Sequence, residues 1–453
     1  MRDKLFGTNG IRGEADSFFT PKFCQAIGAT FSAFLKSKGK NPSDQSAENT
    51  IAVAMDPRPS SQSIKDNLIK GLGPEWQITD QGIVPTPCLT YFVKQQNLAG
   101  GVMITGSHIE EQLNGLKFFF AGEEITKDDE REIEKLFFSQ FNNQTIKADS
   151  LPKISQSDQA RKLYQTMLLR LASSDLSRFK VIVDAGNGTQ SQIMPEVLTK
   201  LGLKVIKINC NLGQKMLTRD TEKQGSFTKL LEAVKTNQVD LGLTYDSDGD
   251  RVAFITDKGE FLPGEVSASL IALSEPGDSI IVPINASSVV ESLGKKVIRT
   301  KVGATYVAQV MKERQINFGF EANGGTISAE FHYGRDGGIT TMKLLNLLNH
   351  QNQSLSQLAG SLPRFFIIKD KIDCPSALNN VILKKARERY QQQRIEELDG
   401  LKIWFNKEDW LLFRPSGNAP EFRVFAESRN QQEAQKLVSE GLDLVKEVIN
   451  EHN

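Results

Sequence analysis

Short apolar runs separated by helical patterns recur along most of the chain. IAVAM (51–55) reads as a strand and SSQSIKDNLIKGLG (60–73) as a helix; a helical segment from Pro87 to Gln96 precedes a strand at GVMIT (101–105). The rhythm returns with the strand FKVIVD (179–184), a helix over Gln190–Leu201, the strand KVIKIN, a helix over Lys229–Asn237 and the strand VDLGLTYD (239–246). It returns again with the strand DSIIVPIN (278–285), helical VVESLG, the strand KKVIRT, the helix YVAQVMKER and the strand INFGFE (316–321). Such alternation predicts βαβ units in an α/β protein with mixed, mostly parallel sheets, repeated as three similar domains. The last part differs: LKIWF, DWLLFRP and EFRVFAES read as strands of a small sheet closed by the helix QQEAQKLVSEGLDLVKEVIN, a smaller α+β C-terminal domain. The expected divisions are 1–150, 151–255, 256–365 and 366–453. The polar stretch 37–50 reads as a surface loop, and the charge run 384–397 as a solvated helix face.

A length of 453 residues fits about three or four domains at roughly 150 residues each. Lys+Arg and Asp+Glu balance at 55 each, so no global field draws nucleic acid or an anionic membrane, and anion binding has to come from local clusters. No run approaches the ~20 apolar residues of a membrane span, and the first residues hold no apolar signal core. Cys24, Cys88, Cys210 and Cys374 match no zinc or redox spacing. Reduced thiols in a cytoplasmic protein are the expectation.

Four stretches carry candidate chemistry. Asp246-Ser-Asp248-Gly-Asp250-Arg251 follows an apolar strand. Three carboxylates at alternate positions repel one another by roughly 3 kcal/mol per pair at ~5 Å and an effective dielectric of ~20, and a hard divalent cation relieves this best. An EF-hand does not fit, because its sixth position calls for Gly and Arg251 stands there. An aspartyl nucleophile of the haloacid-dehalogenase type and a solvated acidic turn remain rivals. Arg414-Pro-Ser416-Gly417-Asn418-Ala-Pro420, with Arg423 beyond it, combines a tight turn with forked cationic donors suited to phosphate, though a plain turn reads the same way. Phe320-Glu321-Ala-Asn323-Gly-Gly places a carboxylate and an amide beside glycines, able to bind sugar hydroxyls, and equally able to be a simple loop. Ser107 follows a strand, where parallel sheets hold ligands. There is no G-x-S-x-G elbow, and adjacent side chains point different ways, so His108 is a poor base for Ser107. Lys117 lies further along the same stretch. G-x-x-x-x-G-K-[ST] is absent, and GNGTQS lacks the third glycine of a dinucleotide loop.

Taken in order, FGTNGIRG, TGSH leading to NGLKFF, DSDGDR, KVGATYV, FEANGG and RPSGN resemble the α-D-phosphohexomutase superfamily over nearly the whole chain. The resemblance implies three α/β domains and a smaller fourth around a central cleft. It implies an isomerase, a reversible phosphomannomutase, with phosphoglucosamine mutase or phosphoglucomutase as alternatives. A phosphosugar phosphatase or a non-catalytic phosphosugar-binding relative are further readings. Ser107 then carries the phosphoryl group, with Lys117 as general acid/base and Arg12 and His108 in the catalytic set. Asp246, Asp248, Asp250 and phosphorylated Ser107 hold one Mg²⁺. Arg251, Lys301, Glu321, Asn323, Arg414, Ser416, Gly417, Asn418 and Arg423 bind substrate. A hexose 1,6-bisphosphate serves as activator, and the partner is a hexose phosphate, with neither nucleic acid nor membrane. Monomer and homodimer both fit. The chain departs from many members in having Ile109-Glu110 after Ser-His in place of Asn-Pro. Glu110 and Glu111 are expected to face solvent or a basic residue.

Overall fold

The alternation read from the sequence resolves into sheets flanked by helices. The structure, a computed structural model, describes residues 4–7, 9–41, 49–142, 151–416 and 420–452. Residues 1–274 with 323–359 form one compact unit, and residues 275–322 with 360–453 a second.

In the first unit, one sheet holds β1 (Ile11–Glu14), β2 (Thr50–Met55), β3 (Gln77–Ile83), β4 (Gly100–Ile104), β5 (Leu113–Phe120), β6 (Glu123–Glu124) and β7 (Lys153–Gln156). Its order is β1-β5-β4-β2-β3-β7, with β6 beside β5. The run β4-β2-β3-β7 is parallel, while β5 lies antiparallel to both β4 and β1. The sheet is therefore mixed, and β7 joins it from beyond residue 150. Its parallel centre is buried on both faces, which is why IAVAM and GVMI read as unbroken apolar runs. Gly101 marks a close approach: a Cβ there would lie 2.8 Å from Val93, on the helix Thr86–Gln95.

The second sheet holds β8 (Lys180–Asp184), β9 (Lys204–Ile208), β10 (Leu241–Tyr245), β11 (Val252–Thr256) and β12 (Phe261–Leu262) in the order β12-β11-β10-β8-β9. β10 runs parallel to β8 and turns back through a hairpin into β11. In the second unit, β13 (Ser279–Pro283), β14 (Lys296–Thr300) and β15 (Phe318–Phe320) are parallel. Back in the first unit, β16 (Thr326–Ser328) and β17 (His332–Asp336) form an antiparallel pair. The C-terminal sheet of the second unit is wholly antiparallel, in the order β18 (Phe366–Asp373), β22 (Glu421–Ser428), β21 (Trp410–Pro415), β20 (Leu401–Trp404), β19 (Arg394–Glu396). The helix Gln431–Glu451 packs its apolar face on that sheet.

Two expectations need correction. The charge run 384–397 is not one helix: the helix ends at Arg389, and β19 occupies Arg394–Glu396. VVESLG is a tight 3₁₀ turn, not an α-helix. Of the polar stretch 37–50, residues 42–48 lie outside the described residues. The four cysteines are free thiols, three of them buried. No helix among the described residues is long and apolar enough to cross a membrane.

Candidate active site

Sheet order explains how distant residues meet. β5 lies between β4 and β1, with Met103 opposite Lys117 and Gly115 opposite Arg12. Gly115 and Lys117 are two residues apart on β5, so Arg12 and Lys117 lie on one face. The loop from Thr105 to Gln112 joins β4 to β5 and carries Ser107 at the C-terminal end of a parallel strand, where open α/β sheets hold ligands. The Asp246–Arg251 turn is likewise placed, at the end of β10. Gly249, at φ +69°, supplies the left-handed residue that this tight hairpin needs. A hairpin turn also disposes of the EF-hand geometry.

The two loops touch. Ser107 is fully buried, and its Oγ donates to Asp246 Oδ2 at 2.8 Å. Its φ of +53° is left-handed, which costs a non-glycine residue roughly 1–2 kcal/mol and has to be held by its surroundings. Lys117 Nζ donates to Asp248 Oδ2 at 2.6 Å and to Asp250 Oδ2 at 2.8 Å. Burial pulls the Lys117 pKa down, but Asp248 and Asp250 outweigh it and hold the ammonium above the usual lysine range. Burial, with Asp248 and Asp250 adding to it, pushes the Asp246 carboxyl well above its usual range. Arg251 sits with Nε 4.0 Å from Asp246 and 3.8 Å from Asp250. Burial first, then Arg251 and Arg335, bring Arg12 down to about 10, so it stays cationic near neutral pH. The His108 ring lies 3.4 Å from Ser107 Oγ, and Arg251, burial and Arg12 hold it neutral. The two side chains therefore approach each other where adjacent residues were expected to point apart, but an imidazole so easily deprotonated is a weak base.

One carboxylate oxygen from each of Asp246, Asp248 and Asp250 lies within 4.8 Å of the others. Asp248 Oδ1 and Asp250 Oδ1 are buried with no hydrogen-bond partner among the described residues. Convergent all-oxygen donors with unsatisfied lone pairs fit a hard divalent cation.

Other partners were not legible as motifs. Thr86 donates through Oγ1 to Asp248 Oδ2 at 2.6 Å, and its N–H donates to the Asp248 carbonyl at 2.9 Å. Arg335 Nη2 donates to Asp250 Oδ2 at 2.9 Å. Asp56 and Arg58 hold the serine loop from beneath. Their only signal in the sequence is position, Asp-Pro-Arg directly after a buried strand. Glu111 pairs with Lys215 at 3.0 Å, and exposed Glu110 accepts from Gln112 Nε2 at 2.6 Å, so both avoid the aspartates as expected.

Of the remaining candidates, Asn323 belongs to the first unit. Its carbonyl accepts from Thr221 Oγ1 at 2.8 Å. Lys301, Glu321, Arg414, Ser416 and Arg423 belong to the second unit. There Lys301 is exposed and lies 5.9 Å from the Tyr306 ring centre. Arg414 Nε donates to Asp399 Oδ2 at 2.8 Å, an oxygen that also accepts from Val302 N at 3.0 Å in the KVGATYV loop. Arg423 is bound twice to Glu421 Oε1. The Ser416 N–H donates to the Glu421 carbonyl at 3.1 Å. Gly417 and Asn418 lie outside the described residues.

Mixed α/β sheets with an antiparallel C-terminal sheet, a serine loop against an aspartate hairpin and a ring of cations define an enzyme scaffold for phosphoryl chemistry. Family models agree in order along the chain: phosphoglucomutase/phosphomannomutase α/β/α domain I matches residues 3–144, domain II residues 161–259 and domain III residues 270–365. A phosphoglucomutase/phosphomannomutase of Thermococcus kodakarensis is 32% identical over 98% of this chain and 99% of that protein. A phosphoglucosamine/phosphogalactosamine mutase of Sulfurisphaera tokodaii is 33% identical over 96% and 98%. Among solved structures, a phosphoglucomutase/phosphomannomutase family protein of Burkholderia thailandensis shares the fold at TM-score 0.83 and 21% identity, covering 99% of this chain and 98% of that one. The chain belongs to the phosphoglucomutase/phosphomannomutase family, within the α-D-phosphohexomutase superfamily. Members of that family are mutases by name, a class of isomerase.

Proposed function

We propose that the chain interconverts a hexose 6-phosphate and the corresponding hexose 1-phosphate by way of phosphorylated Ser107. The observation that carries this is the 2.8 Å contact between buried Ser107 and Asp246, beside Lys117 bound to Asp248 and Asp250. Asp246, Asp248, Asp250 and Ser107 would hold Mg²⁺, whose charge offsets that of the transferring phosphoryl group. In the first transfer the bond from phosphorus to Ser107 Oγ breaks as a bond to a sugar hydroxyl oxygen forms; in the second the bond from phosphorus to a sugar oxygen breaks as one to Ser107 Oγ forms. In the first the hydroxyl gives up one proton and Ser107 Oγ gains one, and in the second the exchange runs the other way, with Lys117 as the residue through which the proton passes. Arg12, Arg251 and Arg335 keep positive charge around the moving group; positioning and charge make up most of such catalysis. The bisphosphate so formed returns its other phosphoryl group to Ser107, and a hexose 1,6-bisphosphate primes the first cycle. Arg414, Ser416, Gly417, Asn418 and Arg423 would bind the non-reacting phosphate. Glu321 and Asn323 would bind ring hydroxyls. The four divisions at 1–150, 151–255, 256–365 and 366–453 each supply one loop to this scheme.

For the sugar, TGSHI, EANGG and RPSGNAP resemble a bacterial phosphomannomutase branch and support mannose phosphate. The names of the archaeal relatives support glucosamine phosphate as a second reading. Measuring kcat/KM for mannose, glucose and glucosamine phosphates under one set of conditions separates the two. The mechanism is tested by mass spectrometry after exposure to glucose 1,6-bisphosphate. Ser107 gains a phosphate, and Ser107→Ala loses mutase turnover. Mutase turnover that persists in Ser107→Ala sinks the phosphoserine scheme, whereas phosphate release that persists there favours an aspartate phosphatase.

A further inference from the structure

Arg58 has no part in the chemistry described so far, yet its side chain makes four hydrogen bonds beneath it. It stands three residues beyond β2, in Met55-Asp56-Pro57-Arg58, with both Asp56 and Arg58 side chains fully buried. Its Nε donates to Asp56 Oδ2 at 3.0 Å. Its Nη2 donates to the Ser107 carbonyl at 2.7 Å and the Ile109 carbonyl at 2.8 Å, and its Nη1 to the Glu110 carbonyl at 3.1 Å. Three of the four acceptors are main-chain atoms of the serine loop.

Asp56 grips the same loop from its other end. Its Oδ2 accepts from Thr105 Oγ1 at 2.8 Å and from Gly106 N at 3.3 Å. Thr105 Oγ1 in turn accepts from Ser107 N at 2.8 Å. Asp56 Oδ1 accepts from Ser61 Oγ and from Arg58 N, which ties the pair to the start of the helix Ser61–Leu72. Ser107 is thus held on its N–H side by Thr105 and on its carbonyl side by Arg58.

Gly106 adds an independent observation. Its φ is not among the positive values, so the backbone there tolerates any residue. Yet a Cβ at Gly106 would fall 2.6 Å from Arg58 Cζ and 2.6 Å from Nε. The glycine is required by the guanidinium lying flat against it. A buried ion pair is a poor device for stability alone, because desolvation offsets its attraction. Here the pair is spent on the main chain of one loop, whose central residue is left-handed. The conformation of that residue fixes where Oγ aims.

We propose that Asp56 and Arg58 are positioning residues that set the rate of phosphoryl transfer to and from Ser107 without touching the sugar phosphate. This rests on the reading of Ser107 as the phosphoryl carrier.

The test uses the full chain with Mg²⁺ and glucose 1,6-bisphosphate. Loading of Ser107 is followed by intact mass, kcat and KM by mutase assay, and folding by thermal midpoint. For Arg58→Gln, loading and kcat fall about 100-fold while KM stays within about threefold, the scale expected of a reacting atom displaced by ~1 Å. Arg58→Lys recovers roughly tenfold of that loss, because an ammonium still reaches a loop carbonyl but lacks the fork. Gly106→Ala loses about tenfold or more alone, but under about twofold when added to Arg58→Gln, the non-additivity of two changes acting on one contact. The proposal is overturned by a folded Arg58→Gln enzyme with wild-type kcat, by a loss confined to KM, or by losses that simply multiply. If Arg58→Gln does not fold, Gly106→Ala decides: unchanged loading and kcat overturn the proposal, and a loss confined to loading and kcat supports it. Wild-type protein that turns over with Ser107 bare refutes the carrier reading itself. Failure of the clamp alone instead leaves wild type and variants loading at the same rate.

Discussion

Lys117 sits among charges that need it as much as it needs them. Removing its ammonium by Lys117→Met leaves Asp248 and Asp250 with one cationic neighbour fewer in a buried place, so turnover falls by at least ~100-fold and the thermal midpoint drops. Asp248→Asn removes one carboxylate from the oxygen cluster, and calorimetric titration shows Mg²⁺ affinity weakened by about tenfold or more. Away from the site, burial lifts Glu130 from 4.5 to about 7, despite Lys127 Nζ at 2.8 Å from each of its oxygens. A carboxyl whose folded pKa is raised contributes stability that is complete below pH 4.5 and is lost as pH rises through about 7. Measured against Glu130→Gln, wild-type protein therefore weakens by up to about 3 kcal/mol between pH 4.5 and 7.5. Equal pH slopes in the two proteins would contradict this. The three aspartates were legible in the sequence from their alternate spacing and Ser107 from its place after a strand, while Lys117 stood out only through the family resemblance. Asp56, Arg58, Thr86 and Arg335 were not legible, because a lone Thr or Arg gains meaning only from what the fold sets beside it.

Strands with unbroken apolar runs and helices with a clear apolar stripe were read with ends within a few residues of those observed. Elements without either signal went unread. The helix Gly264–Ser274 is apolar nearly all round and has little periodicity to detect. β18 is the half-exposed FIIKDKID at the edge of its sheet, with charges where a buried strand has none. The helix Pro21–Ser37 also went unread, although Thr20, whose Oγ1 accepts from Phe23 N at 3.3 Å, and Pro21 at its first position mark its start. The charge run 384–397 misled because charge alone does not distinguish a helix end from the edge strand after it. Turns carry their own constraint. Gly324, in FEANGG, has φ +88°, and a Cβ there would lie 2.0 Å from the Val252 carbonyl oxygen. Gly324→Ala then shifts the turn before β16 and costs about 2 kcal/mol or more, read as a lowered thermal midpoint.

The fold class was legible for the whole molecule because βαβ rhythm and a run of closing strands are long-range patterns. The grouping into two units was not, since it depends on which stretches pack. In the second unit, Lys402 Nζ reaches back to the Ile284 carbonyl at 2.9 Å, between the Trp404 and Trp410 rings. Glu427 Oε1 accepts from Ser288 N and Trp410 Nε1, each at 2.7 Å. Two segments far apart in sequence are thereby held by buried hydrogen bonds, one from Lys402 and others to Glu427. Lys402→Met takes this donor from the buried Ile284 carbonyl and costs about 1–3 kcal/mol, read as a lowered thermal midpoint. A comparable dependence in the first unit has a consequence for synthesis. The first sheet can close once Gln156 has been made, but the counter-charges of Lys117 arrive only with Asp248 and Asp250. At about 5–20 residues per second, the ribosome takes roughly 5–20 s to cover that distance. Throughout that interval an ammonium at the heart of the nascent sheet has no carboxylate from the second loop. Chains arrested before Asp246 are cut by protease near β5, and chains arrested well beyond Arg251 resist: the aspartates finish the folding of a sheet whose strands were all made before them.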